Sequence, residues 1–287
     1  MKWRNSRESG NVEDRRSISG GQVVAGGGIA GIIIFLLFTF LGGGEVDPSQ
    51  IPQITTQTEQ AAPLSPQEQA KDEQRAKLVK EVLAETEDVW NKIFRQKGAN
   101  YQEPVLVLYR GQVESACGFG SAASGPFYCP ADYKLYIDLS FYQQLERLTN
   151  DNQIQFAMAY VIAHEVGHHI QNLNGTAEKL QRLRGRMSQE EYNRYSVKME
   201  LQADFLAGVW ANHASKSNLV LEQGDMEEAL SAANAIGDDM IQKRSQGYVV
   251  PDAFTHGTSQ QRIYWFKKGF TTGDINQGDT FNDPSLN

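Results

Sequence analysis

Apolar residues are spaced in distinct ways along this chain, and each spacing predicts a different kind of element. Val23–Leu41 is continuous and uncharged, V-V-A-G-G-G-I-A-G-I-I-I-F-L-L-F-T-F-L, close to the ~20 residues a helix needs to cross a bilayer. Gln67–Lys97 instead repeats Leu78, Val79, Val82, Leu83, Val89, Trp90 and Ile93-Phe94 at three- and four-residue steps. That periodicity predicts an amphipathic helix, stopped by Gly98. The β-rich runs Pro104–Tyr109 and Lys134–Leu139 predict a small sheet, with a Gly/Ser/Pro-rich loop between them. Helical spacing then dominates. Helices are expected from an N-cap at Asp151 to Asn174-Gly175, over Ala177–Arg186, and from a Ser188/Glu191 capping box through Trp210. Two more are expected over 222–247, capped by Asp225 and stopped by Gly247, and from Thr258 or Ser259 through Phe266.

This pattern divides the chain into a polar N-terminal segment (1–22), a transmembrane helix (23–41), a flexible linker (42–66) and one α+β, mostly helical domain (67–287). The linker is rich in Gln, Thr, Pro and Ser and lacks the apolar surface that would offset its ordering. Lys2, Arg4, Arg7, Arg15 and Arg16 precede the uncharged run, and no basic residue follows it until Lys71. The positive-inside rule therefore predicts a single pass with a cytoplasmic N-terminus and an extracytoplasmic domain. A cleavable signal peptide is the competing reading. The run exceeds the ~7–15 residue apolar core of such peptides and no A-x-A-like site follows, although Gly42–Gly44 leaves cleavage open.

A net charge of −8 disfavours nucleic acid as a partner, since phosphate binding needs a basic face and the sequence shows none. Cys117 and Cys129 are too far apart for C-x-x-C chemistry. A local disulfide fits an oxidising compartment, and two free buried thiols are the alternative.

The candidate chemistry lies in A-H-E-V-G-H-H-I-Q-N, 163–172. His164 and His168 are one helical turn apart, so their rings can converge on one ion, with Glu165 beside them as general base. Imidazole suits zinc, and a catalytic zinc keeps three protein ligands and an open position for water. Gly167 leaves room for a substrate or a crossing helix to approach. His169 points about a quarter turn away and is read as a supporting or surface residue. Glu200-Leu-Gln-Ala-Asp204 puts two carboxylates on one face of an apolar helix. Glu200 can be the third ligand, and Asp204 can accept the free ring N–H of a ligating histidine. An ordinary solvated pair is the bland alternative. His256, on a Gly-containing turn, can donate toward the oxyanion of a tetrahedral intermediate, or it can simply fasten the last helix with Arg262. Tyr136–Leu139 is a candidate edge strand for an extended peptide, or else an inner strand. Ligating imidazoles must be neutral, so activity should fall as pH drops through ~6.5 or lower.

F-Y-C-P at 127–130, H-E-V-G-H-H-I-Q at 164–171, E-L-Q-A-D followed by A-G-V-W, T-H-G-T-S-x-x-R at 255–262 and G-D-x-x-x-x-D-T-F at 273–281, with the Arg-bearing N-terminus, carry a resemblance over nearly the whole chain. The sequence resembles the putative neutral zinc metallopeptidases of bacteria, single-span membrane proteins with an extracytoplasmic catalytic domain. The resemblance implies a zincin-like fold and a Zn2+ cofactor held by His164, His168 and Glu200, with Glu165 as base and Asp204 behind a ligand. It also implies a peptide or protein substrate in the cell envelope and a place in the bacterial inner membrane through residues 23–41. Many relatives carry cysteines where this chain has Phe205 and Gly278, consistent with a lost disulfide. The reading is thus a membrane-anchored zinc endopeptidase. Its alternative is a zinc-binding scaffold or chaperone-like envelope protein without turnover, which shares the ligands but has no need of Glu165.

Overall fold

The computed structural model describes residues 1–5, 7–17, 65–121, 125–149 and 154–286. Asp151 and the apolar run 23–41 lie outside the described residues. Among the described residues, no helix is long and apolar enough to cross a membrane.

In chain order the elements are β1 (Lys2–Trp3), β2 (Val12–Asp14), α1 (Pro66–Gln96), β3 (Val105–Tyr109), β4 (Gln112–Ser115), β5 (Gly118–Ser121), β6 (Phe127–Cys129), β7 (Lys134–Asp138) and α2 (Phe141–Thr149). They continue as α3 (Gln155–Leu173), α4 (Thr176–Leu183), α5 (Gln189–Ser217), β8 (Leu219–Val220), α6 (Asp225–Ala235), α7 (Asp238–Gln246) and α8 (Ser259–Thr272). The result is mostly helical with small sheets, as an α+β reading of the sequence expects.

Local chemistry sets several boundaries. Ser65, Ser188 and Thr258 each form a reciprocal capping box, with Glu68, Glu191 and Gln261 respectively. The first turn of α3 is satisfied from outside: the Phe156 N–H donates to the Glu228 carboxylate of α6 at 2.9 Å. The long helix expected over 222–247 is broken at Ile236-Gly237 into α6 and α7. The cause is tertiary. A side chain at Gly237 would collide with the Ser259 backbone, 2.5 Å from an added Cβ, and Asp238 and Asp239 turn to accept N–H groups from the 255–259 loop.

The principal sheet has the order β2-β3-β7-β6, with β2, β3 and β7 parallel and β6 antiparallel to β7. Alternation along its strands sends Leu106, Leu108, Leu135 and Ile137 into the helical core, and Val107, Tyr109 and Tyr136 into a second cluster on the other face. Of the candidate edge Tyr136–Leu139, Tyr136 is paired on both sides, with β3 and β6, whereas Ile137 and Asp138 pair with β3 alone; the outer strands of the sheet are β2 and β6. Cys117 and Cys129 form a disulfide that ties β6 to the β4–β5 hairpin.

Residues 1–17, expected as a segment apart from the domain, pair into it instead. β2 lies beside β3, and β1 pairs with β8.

α3 is the centre of the body, buried along nearly its whole length. α5 crosses it at Gly167, where an added Cβ would lie 2.9 Å from the Ala203 carbonyl oxygen and 3.0 Å from its Cα. α5 and α8 approach still more closely. A Cβ at Gly208 would stand 2.1 Å from the Phe266 oxygen, and one at Gly269 2.0 Å from the Phe205 oxygen. Backbone cannot yield as a side chain can. Gly208→Ala should therefore lower stability by roughly 1–3 kcal/mol, despite alanine's better helix propensity. Chemical denaturation checks this, and an unchanged midpoint would contradict the close packing.

Candidate metal centre

The crossing at Gly167 brings the carboxylate pair of α5 against the histidine pair of α3. His164 Nε2 lies 3.1 Å from Glu200 Oε2, and His168 Nε2 lies 3.4 Å from Glu200 Oε1. One donor atom from each of His164, His168 and Glu200 falls within 4.8 Å of the others. Donors bonded at 2.0–2.2 Å to one tetrahedral zinc stand roughly 3.4 Å apart. Two imidazole nitrogens and a carboxylate at these separations fit such an ion.

The opposite side of His164 is fully buried. Its Nδ1 is 2.9 Å from Asp204 Oδ1, and Asp204 is 0% exposed. The same carboxylate accepts from Tyr160 Oη at 2.5 Å, and from Arg262 Nε at 2.8 Å and Nη2 at 3.0 Å. Arg262 is thus the partner of Asp204. His168 Nδ1 is held at 2.9 Å by Gln171 Oε1, whose amide donates to the Met199 oxygen and to Gln202. Each ring therefore has a fixed back contact that leaves Nε2 turned to the shared position.

Burial opposes charge on the His164 ring, yet Asp204 and then Glu200 outweigh it and lift the ring to about 10. His168 is raised against the same burial by Glu200. Metal must then displace protons. The competition begins at higher pH than an isolated histidine near ~6.5 implies, because the carboxylates that serve the ion also serve the proton. Asp204 is held down at about 2, where burial is overcome by the Arg262 and His164 charges. Glu165 shifts the other way: burial raises its carboxyl, against the pull of His168 and His164 and a hydrogen bond from the Tyr128 backbone.

His256 sits at the rim of the same charge cluster. Its Nδ1 is 3.1 Å from Asp238 Oδ1, and the backbone N–H groups of Thr255, His256 and Gly257 donate to Asp238 Oδ2 at 2.8, 2.6 and 2.9 Å. Burial disfavours its charged form, but Asp238 and the nearby Glu200 raise it. The sequence reading missed Asp238, Tyr160, Tyr128 and Gln171. Gln171 alone carried a signal, one helical turn past His168.

His169 is neither a ligand nor a surface residue. It is 0% exposed, with Nδ1 3.0 Å from Tyr128 Oη and Nε2 2.6 Å from the Gln102 oxygen. The rings of Tyr101, Tyr128 and Tyr133 pack edgewise around it.

The sequence profile of the putative neutral zinc metallopeptidases matches residues 1–281. The chain belongs to that family. Among its relatives, the uncharacterized protein YpfJ of Escherichia coli K12 is 49% identical over 98% of this chain and 99% of its own length. The uncharacterized protein Rv2575 of Mycobacterium tuberculosis H37Rv is 42% identical over 65% of each chain. No solved structure matches the chain. An added Cβ at Gly278 would lie 2.4 Å from the Phe205 ring, so the two positions abut and the aromatic ring fills the space.

Two outcomes follow from these contacts. Removing Arg262 leaves a buried carboxylate uncompensated, which typically costs about 3–5 kcal/mol. Arg262→Met should lose stability on that scale in denaturant titrations and weaken zinc binding, with Arg262→Lys between it and wild type. Burial pulls the His169 ring down to about 4, so it stays neutral in the fold while an unfolded chain binds the proton below ~6.5. Stability should drop as pH falls from ~6.5 toward ~4, and the His169 ring C–H resonance should titrate near the lower value. A resonance titrating near ~6.5 would place the ring in water.

Proposed function

We propose that this domain is a zinc-dependent endopeptidase anchored to the bacterial envelope. The observation that carries the reading is Glu165, an ionisable carboxyl buried beside a three-donor cluster that has no fourth protein donor among the described residues. A structural zinc site is usually closed by a fourth ligand, and has no use for a base. His164, His168 and Glu200 would hold the ion. When bound, zinc supplies Lewis acidity toward a carbonyl oxygen and lowers the pKa of water.

The remaining work falls to the chain's own groups. Glu165 takes a proton from the attacking water and returns it to the leaving amine. Burial raises its basicity toward the range in which both transfers are effective. His256, fixed by Asp238, offers a ring N–H toward the developing oxyanion. Edge strand β6 offers a track for an extended peptide beside Glu165, whose carboxylate takes the Tyr128 N–H. The Cys117–Cys129 disulfide supports an oxidising, extracytoplasmic location for the domain.

Glu165→Gln tests the reading. The variant should bind zinc with wild-type stoichiometry, because Glu165 is not a donor, and lose at least ~10²-fold in peptide turnover. Turnover equal to wild type would remove Glu165 as the base. Zinc bound by both proteins with turnover by neither would favour the non-catalytic scaffold.

A further inference from the structure

The charge bias around the 23–41 run puts residues 1–17 across a membrane from the domain, whereas their contacts put them inside it. β2 completes one edge of the principal sheet, with Leu106 N–H donating to the Asn11 oxygen at 2.9 Å and Arg15 N–H to the Leu108 oxygen at 2.8 Å. β1 is paired with β8, and Trp3 and Val12 pack against the main core. The receiving face is built for this arm. Glu87 of α1 is 2% exposed, and its carboxylate accepts from Arg7 Nη2 at 3.0 Å, Ser9 Oγ at 2.5 Å and Asn11 Nδ2 at 2.9 Å. A carboxylate is seldom buried without such partners. Lys134 of β7 reaches Glu13 at 2.5 Å. The family profile also begins at residue 1, so the arm belongs to the shared unit.

The end of the arm is fastened to the start of α1, where Arg16 is paired with Asp72 and with Glu73 at 3.0 Å, in the first two turns of the helix. The uncharged run of Val23–Leu41 is long enough for one crossing at ~20 residues and too short for the ~40 that two would need. A single crossing separates the arm from the sheet that holds it. We propose that residues 1–17 are a structural arm of the catalytic domain and share its compartment.

The test uses the full chain in bacterial cells. Lys2 and Val220 are register partners in β1 and β8, at a spacing that a disulfide can bridge. Lys2→Cys/Val220→Cys should form an intramolecular cross-link in most molecules, with oxidant added after lysis if needed. In intact cells treated with a membrane-impermeant maleimide, Lys2→Cys should label to the same extent as Glu190→Cys, an exposed site on α5. Glu190→Cys labelled and Lys2→Cys protected until the membrane is dissolved, with no cross-link, would overturn the proposal. Both sites protected, with the cross-link formed after lysis, upholds the shared compartment and removes the extracytoplasmic placement instead. Zinc binding and turnover, read separately, bear on the peptidase reading alone.

Discussion

The close crossing of α3 and α5 is the constraint on which the rest depends. Gly167 and Ala203 leave the two helix backbones in contact, and that contact sets the separation between the His164/His168 face and the Glu200/Asp204 face. Both pairs are one helical turn apart, so each helix offers its chemistry in register with the other. A side chain at Gly167 would push the faces apart and leave the donors unable to share one ion. The small residue between the ligands is therefore part of the centre's geometry as much as the ligands are.

A second constraint follows from the full burial of Asp204. A carboxylate in that position needs compensation, and it is drawn from three side chains on two helices: Tyr160 and His164 on α3, and Arg262 on α8. Arg262 reaches it because Gly208 and Gly269 let α5 and α8 pack backbone to backbone. The same placement of α8 brings its preceding loop, with His256, to the rim of the site, where Asp238 at the head of α7 holds the loop by its N–H groups. The break between α6 and α7 thus serves the site, since an unbroken helix would not present Asp238 to that loop.

On the other side of α3, strand β6 closes the arrangement. Tyr128 touches Glu165 through its backbone and His169 and Asn172 through its hydroxyl, while the disulfide at Cys129 ties the strand to the β4–β5 hairpin. At the far edge of the same sheet lies β2. The sheet therefore links the arm of residues 12–14 to the strand beside Glu165, so the site rests on chain distant in sequence as well as near.

The sequence by itself determined the features that depend on local periodicity and local capping. The helices of α1, α3, α5 and α8 were legible from apolar spacing, the Ser188/Glu191 box from its own residues, and the grouping of His164 with His168 from one helical turn. The pairing of Cys117 with Cys129 was legible from their number and proximity. The tertiary structure alone decided what depends on contacts between distant segments. It decided that Arg262 faces Asp204, that Asp238 holds His256, that β2 and β6 are the outer strands, that one expected helix breaks at Gly237, and that β1 and β2 pair into the domain. None of these has a local signal. A two- or three-residue strand shows no resolvable period, and the partner of a buried charge is chosen by which helices touch, which spacing along one chain does not encode.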